Sequence, residues 1–413
     1  MATILLTWEL GGGLGHLYPL QMLGGELAAR GHCVVAAVRD ASLASRVFCE
    51  SGVRFVQAPV KLKPSPNRIE PLTSYAHVLH NTGWGDAEEL QGLFEAWTNL
   101  IELVDPDVAL LDHSPIAALA LRGLPIATIA CGTGFYFPPD AQPLPRLHPS
   151  HVFDAEQAWR DEQAVLERAN RVLKAAERPQ LAYLARLYHE VDARLFLTFP
   201  ELDHFGVRPG EAYLGTLPSG GRRAPEWTNA EGPRIYAYLI ARPGVEGLLH
   251  VLKGYRCSVC AVCPGLPEGL LHRLQGDNLR ILDTPIDVTR AAAECDFAVT
   301  YASHGVTAAL LLAGKPVVQL PFHLEQLLVA ERVVRGGAGL LVQPNEASFI
   351  QALNRIREEP SFRRSAMGFA YKYRSHTPTA VAGQVADIVE HHLNLRGEIN
   401  KRAGSVSVLS GDT

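Results

Sequence analysis

The feature that most constrains this chain is a grammar stated twice: a short apolar run, a loop of small residues, an amphipathic or apolar helix, and another apolar run. Thr3–Thr7 runs into Gly11, Gly12, Gly13, Leu14, Gly15 and His16, a helical pattern continues to Arg30, and Cys33–Val38 is apolar again. Two runs joined through a helix lie parallel in one sheet, because the crossover is too long for a hairpin. The unit recurs at Val108–Leu111, which ends on Asp112 and leads into a helix after Pro115, and again at Ile126–Ala130, closed by Gly132 and Gly134. Helices are expected over Glu88–Val104 and Asp154–Leu173, and Leu195–Phe199 reads as the last strand of this half.

A second series begins at Arg234–Leu239 and continues through Ser258–Val262, Leu279–Leu282, Phe297–Thr300 and Val317–Leu320. Between the series, 217–232 is rich in Gly, Pro and polar residues without periodicity, which predicts a linker. The expected organisation is a Rossmann-like domain over 1–216, a linker over 217–232, a Rossmann-like domain over 233–378, a closing helix over 379–395 and a flexible tail over 396–413. With 413 residues, the chain is long enough for both cores.

Composition narrows the partners. The net charge of −5 offers no general basic field, so a nucleic-acid partner is not expected. No apolar run has the length of a membrane span, the first residues lack a basic region followed by an apolar stretch, and a cytoplasmic protein without a transmembrane segment is expected. Seven cysteines lie mostly in apolar segments, which suits reduced buried thiols. The spacing of Cys257, Cys260 and Cys263 resembles the start of an iron–sulfur run, but on a strand residues three apart point to opposite faces, and no fourth cysteine follows nearby.

The segment from Asp296 to Gln326 carries the chemistry of the second half. A buried strand there empties into small residues and a helix start, whose unpaired N–H groups and dipole suit an anion such as a diphosphate. A second strand then delivers Glu325 and Gln326, side chains able to hold hydroxyls. In the first half His16 and Asp112 both follow strands, where open α/β sheets bind ligands. An imidazole titrating near neutrality, paired with a carboxylate that fixes its tautomer, is suited to general-base work, although each residue could also serve as a turn or helix cap.

These residues resemble GT-B glycosyltransferases, and more narrowly the UDP-glycosyltransferase and macrolide-glycosyltransferase superfamily, over most of residues 1–395. The likeness is carried by Gly15, His16 and Pro19 as a G-H-x-x-P turn, by Phe199–Asp203 leading to Tyr213 and Gly215, and by Tyr301–Gln326. It implies an α/β fold of two doubly wound parallel-sheet domains facing a central cleft, and an inverting, metal-independent transfer from a UDP- or dTDP-sugar to a small lipophilic acceptor, with no cofactor beyond that co-substrate. By the same resemblance His16 is the base and Asp112 orients it. Tyr301, Ala302, Ser303, His304, Gly305 and Val306 are expected at the donor diphosphate, Glu325 and Gln326 at the donor sugar, and Pro285 with Ile286 at the nucleobase. Gly13, Gly15, Phe135, Tyr136 and Phe137, together with the His77–Trp84 stretch, are expected to line the acceptor.

The sequence also departs from the family pattern. Tyr301 falls where the family has a phosphate-contacting histidine, Ala309 where it has a ribose-binding acid, and YAYLIAR lacks the usual serine or threonine. A phenol donates one hydrogen bond but carries no positive charge near neutrality, which leaves His304 as a candidate for that role. The departures keep open a sensor or partner subunit that binds a nucleotide or glycan, and a GT-B epimerase. The pair Asp105 and Asp107 forms a D-x-D triplet but precedes its strand, away from Asp112, so no metal site is expected there.

Overall fold

The computed structural model describes every residue except 50, 149–151, 218–219, 344 and 410–413, and no side chain from 396 onward. The chain forms two compact units. One holds Met1–Leu197, Pro209–Gly215 and Thr379–Thr413, and the other Thr198–Arg208 and Thr216–Pro378.

The first unit is built on strands β1 (Thr3–Trp8), β2 (Cys33–Val38), β3 (Arg54–Gln57), β4 (Val108–Asp112), β5 (Ala127–Gly132), β6 (Ala193–Phe196) and β7 (Ala212–Tyr213). All pair in parallel, in the order β3-β2-β1-β4-β5-β6-β7. The order reverses between β1 and β4, which lie side by side with Trp8 opposite Asp112. Every residue of β4 and β5 is buried, as a strand covered on both faces requires. The helix Ala87–Val104 begins where the Asp86 carboxylate accepts the N–H groups of Glu88 and Glu89, and Ala155–Ala175 where Asp154 does the same for Glu156 and Gln157. Asp154, expected inside its helix, is thus its cap.

The second unit contains β8 (Arg234–Tyr238), β9 (Ser258–Val262), β10 (Leu279–Leu282), β11 (Phe297–Thr300), β12 (Val317–Gln319) and β13 (Gly339–Leu341), parallel in the order β10-β9-β8-β11-β12-β13. Its reversal lies between β8 and β11. One face of this sheet is covered by Leu248, Leu249, Phe349 and Leu353, the other by Val306, Leu310, Leu311 and Val333. Cys257 and Cys263 belong to the first layer and Cys260 to the second, so strand alternation separates the three thiols, and burial pushes Cys257 and Cys260 up to about 11 and Cys263 to about 12.

Several boundaries differ from those expected. Leu195–Phe199 does not end the first half as one strand: β6 stops at Phe196, and Phe199 belongs to the second unit, where its ring packs on Tyr373 at 4.3 Å. The stretch 217–232 also lies in the second unit, with Arg223 bridged to Ile286, Trp227 Nε1 donating to Glu294, and the Thr228 N–H donating to Ser258 Oγ. The helix Pro378–Leu409 belongs to the first unit, where Arg30 pairs with Asp387 and Glu390. The expectation of a flexible tail over 396–413 falls on residues whose side chains, or whose whole placement, lie outside the described ones. No helix among the described residues is long and apolar enough to cross a membrane.

Candidate functional site

In the first unit β1 and β4 each deliver one polar side chain at the point where the strand order reverses. The loop after β1 bends through Gly11 and Gly13, both at positive φ, and opens the helix Leu14–Ala29, which carries His16 in its first turn. A Cβ on Gly11 would lie 2.4 Å from His16 Nε2, so the imidazole occupies space that only glycine leaves free. Asp112 ends β4, and its Oδ2 lies 2.9 Å from His16 Nδ1. The carboxylate therefore holds the proton on Nδ1 and leaves Nε2 as the atom able to take one.

Three further rings fix that imidazole. Trp8 stacks on His16 at 5.0 Å, Tyr136 stacks on it at 5.6 Å, and His113 stacks on Tyr136 at 4.1 Å. The Tyr136 hydroxyl stands 3.5 Å from His16 Nε2. Room for the tyrosine comes from Gly132, at φ 144°, where a Cβ would meet the ring at 2.3 Å. His113 sits at φ 47°, Tyr75 Oη lies 3.0 Å from its Nε2, and burial together with the nearby His16 holds it well below the usual histidine range. Glu9 is buried behind the site, where its carboxylate accepts the Ile116 N–H at 2.8 Å. Burial, partly offset by that bond, pushes it up to about 8.

Among the acceptor-lining residues expected from sequence, Tyr136 reaches the imidazole, and Gly13 and Gly15 have open space where a Cβ would stand. Phe135 packs edge-on against His113 at 6.2 Å, whereas Phe137 packs into the core on Phe196 at 5.1 Å. In the His77–Trp84 stretch His77 is buried with its Nε2 3.1 Å from Asp161, and Trp84 is wholly buried. Trp8, Glu9, Tyr75 and His113 carry no sequence signal of their own. His113 is adjacent to Asp112, but only the stacking gives it a place in the site.

In the second unit the loops after β8, β11 and β12 meet at one end of the sheet. The helix His304–Leu312 starts after Ser303, whose hydroxyl has no hydrogen-bond partner among the described residues, and its first intrahelical bond runs from the Thr307 N–H to the Ser303 carbonyl. Ala302 turns the chain at φ 58°. The Tyr301 hydroxyl donates to the Ile240 carbonyl at 3.0 Å and its ring packs edge-on against Phe322, so its donor is already engaged by backbone. His304 Nε2 lies 2.7 Å from Thr198 Oγ1, and burial, opposed by Asp203, lowers it to about 4. The imidazole considered as a source of positive charge is therefore neutral near pH 7.

Glu325 and Gln326 open the helix Leu324–Arg335. Glu325 is partly exposed, 4.0 Å from His204 Nε2. Gln326 Oε1 accepts the Phe322 N–H at 3.1 Å, which leaves its amide NH2 available to a hydroxyl. Ile286 is buried, and the chain around Arg223 covers its turn closely: a Cβ on Gly221 would lie 2.5 Å from the Pro285 carbonyl oxygen. At the D-x-D triplet Asp107 accepts the Thr3 N–H at 2.8 Å, at the opposite end of β4 from Asp112. No cluster of three metal-ligating side chains occurs among the described residues.

No family model matches the sequence. A PGL/p-HBAD biosynthesis glycosyltransferase of Mycobacterium tuberculosis is 26% identical over 195 residues, which is 45% of this chain and 45% of that protein, so the chain spans about half the length of the curated relatives it matches. Among solved structures, the glycotransferase of kitacinnamycin superposes with a TM-score of 0.70 at 21% identity, covering 95% of this chain and 99% of that one. The glycosyltransferase VinC in complex with DTDP gives 0.66 at 16% identity, covering 94% of this chain and 100% of that one. With its two parallel sheets of seven and six strands, the chain has the GT-B fold of these glycosyltransferases.

Proposed function

We propose that this protein is an inverting, metal-independent glycosyltransferase that moves a sugar from a nucleoside-diphosphate sugar to a hydroxyl of a small, lipophilic acceptor. The observation that carries this reading is the buried His16–Asp112 pair, 2.9 Å apart at the strand-order reversal of the first unit, with Nε2 beside the open glycine loop. The acceptor O–H gives its proton to His16 Nε2 while its oxygen forms a bond to the anomeric carbon. The bond from that carbon to the phosphate oxygen breaks, and its electron pair leaves with the nucleoside diphosphate. One displacement inverts the centre. Asp112, on Nδ1, stabilises the imidazolium that forms.

The second unit is the donor side in this reading. Backbone N–H groups at His304, Gly305 and Val306 and the unpartnered Ser303 hydroxyl suit phosphate oxygens, and Glu325 with the Gln326 amide suits sugar hydroxyls. The Ala302 turn directs that backbone, and Tyr301 serves as a wall of the site rather than as a phosphate donor. Pro285 and Ile286 are assigned to the nucleobase. VinC, a relative in fold, was solved with DTDP, which favours a dTDP-sugar as the first donor to try. A sensor or partner subunit would have no use for an assembled imidazole–carboxylate pair, and the transferase is preferred on that ground.

The test is to measure thermal stabilisation by a panel of UDP- and dTDP-sugars, followed by transfer to phenolic and polyketide hydroxyls. Saturating donor raises stability by several kcal/mol when present at about a thousand times its dissociation constant. Stabilisation by no nucleotide sugar would remove the reading.

A further inference from the structure

Tyr301 and His304 leave the diphosphate-facing end of the second sheet without a cation from the residues first expected there. Tyr301 is a phenol engaged by a carbonyl, and burial lowers His304 to about 4. A nucleoside diphosphate carries at least two negative charges near neutrality, and its charge rises as it departs. In the loops that follow β8, β11 and β12, at 239–244, 301–306 and 320–326, Arg242 is the only lysine or arginine.

Arg242 is exposed, and it has no carboxylate partner among the described residues. Its guanidinium carbon lies 3.9 Å above the Phe322 ring, which in turn meets Tyr301 at 5.3 Å and His323 at 4.8 Å. Two residues before Arg242, the Ile240 carbonyl takes the Tyr301 hydroxyl. The cation is thus held over an aromatic platform at the strand-order reversal between β8 and β11, with its hydrogen-bond donors unspent.

We infer that Arg242, oriented by Phe322, is the phosphate-binding cation of this chain, contacting the diphosphate of a nucleoside-diphosphate donor. The inference rests on the assignment of the second unit to the donor. It also gives a physical account of the Tyr301 position: charge is supplied from the loop after β8, and the residue after β11 is free to brace that loop through Ile240. The stacking geometry favours arginine, whose planar fork can lie on a ring and still offer paired donors to phosphate oxygens.

The experiment is calorimetric titration of wild-type protein, Arg242→Gln and Arg242→Lys with dTDP and UDP, with thymidine and uridine binding followed by saturation-transfer NMR. Arg242→Gln is expected to weaken diphosphate binding by about tenfold or more while leaving nucleoside binding unchanged, with Arg242→Lys between the two. Phe322→Ala should weaken the diphosphate in the same selective manner. Wild-type affinity for dTDP and UDP in Arg242→Gln overturns the role of Arg242 alone. An equal loss for nucleoside and diphosphate also overturns it, because the residue would then shape the site generally. Failure of the wild-type protein to bind either diphosphate overturns the donor assignment and this inference with it.

Discussion

His16 shows how much of a residue's chemistry its neighbours set. An imidazole in the first turn of a helix is ordinary; what singles this one out is a carboxylate on Nδ1, two stacked aromatic rings, and a glycine whose missing side chain clears Nε2. Replacing His16 with alanine is expected to cost transfer about a hundredfold to ten-thousandfold while leaving dTDP and UDP affinity nearly intact, since the proposed base and the proposed donor site belong to different units. Asp112→Asn, which preserves shape but not charge, should cost as much or less. Steady-state kinetics on a folded variant, paired with calorimetry, checks both, and undiminished turnover by His16→Ala would remove the residue from the mechanism.

At the scale of elements, strand ends and helix starts do most of the positioning. The helix His304–Leu312 begins with N–H groups that have no intrahelical partner, and backbone must come close to phosphate for them to act. Gly305→Val is expected to weaken diphosphate binding by on the order of tenfold, more than Tyr301→Phe does, because the Tyr301 hydroxyl is spent on Ile240. Equal and unchanged affinities in both variants would place the phosphate elsewhere. Strand β4 separates its two acidic features by its own length: Asp107 at one end is tied to the Thr3 N–H, and Asp112 at the other holds His16. Transfer is accordingly expected to persist in excess chelator, and activity lost to chelator and restored by magnesium or manganese would refute the metal-free reading.

For the whole molecule, Glu9 and His304 give the two units opposite responses to pH. Glu9 is raised to about 8 in the folded first unit against a reference near 4.5. The folded state holds that proton more tightly, so its contribution is fully present below about pH 4.5 and is lost as pH rises through about 8. His304 is lowered to about 4 against a reference of 6.5, so its contribution to the second unit is lost as pH falls from about 6.5 toward 4. Glu9→Gln, a neutral isostere, should therefore gain on wild type as pH rises through about 8, which melting curves across that range can follow. Parallel curves for the two proteins would show that Glu9 is not the titrating group. By itself, the sequence determined the alternation of strands and helices, the two series and the residues at strand ends, because periodicity and glycine punctuation are local and survive without knowledge of neighbours. It did not mark the edge strands Arg54–Gln57 and Gly339–Leu341, which are partly exposed and lack the buried apolar run by which the equally short Leu279–Leu282 and Phe297–Thr300 could be read. Only the tertiary structure decided that 217–232 packs on the second unit, that Pro378–Leu409 returns to the first, and that Trp8, Tyr136 and His113 stack around His16. It also decided that Tyr301 spends its hydroxyl on a carbonyl while Arg242 lies over Phe322 with no carboxylate partner among the described residues. These outcomes depend on which distant side chains compete for the same donors and the same space, and no local pattern in the chain records that competition.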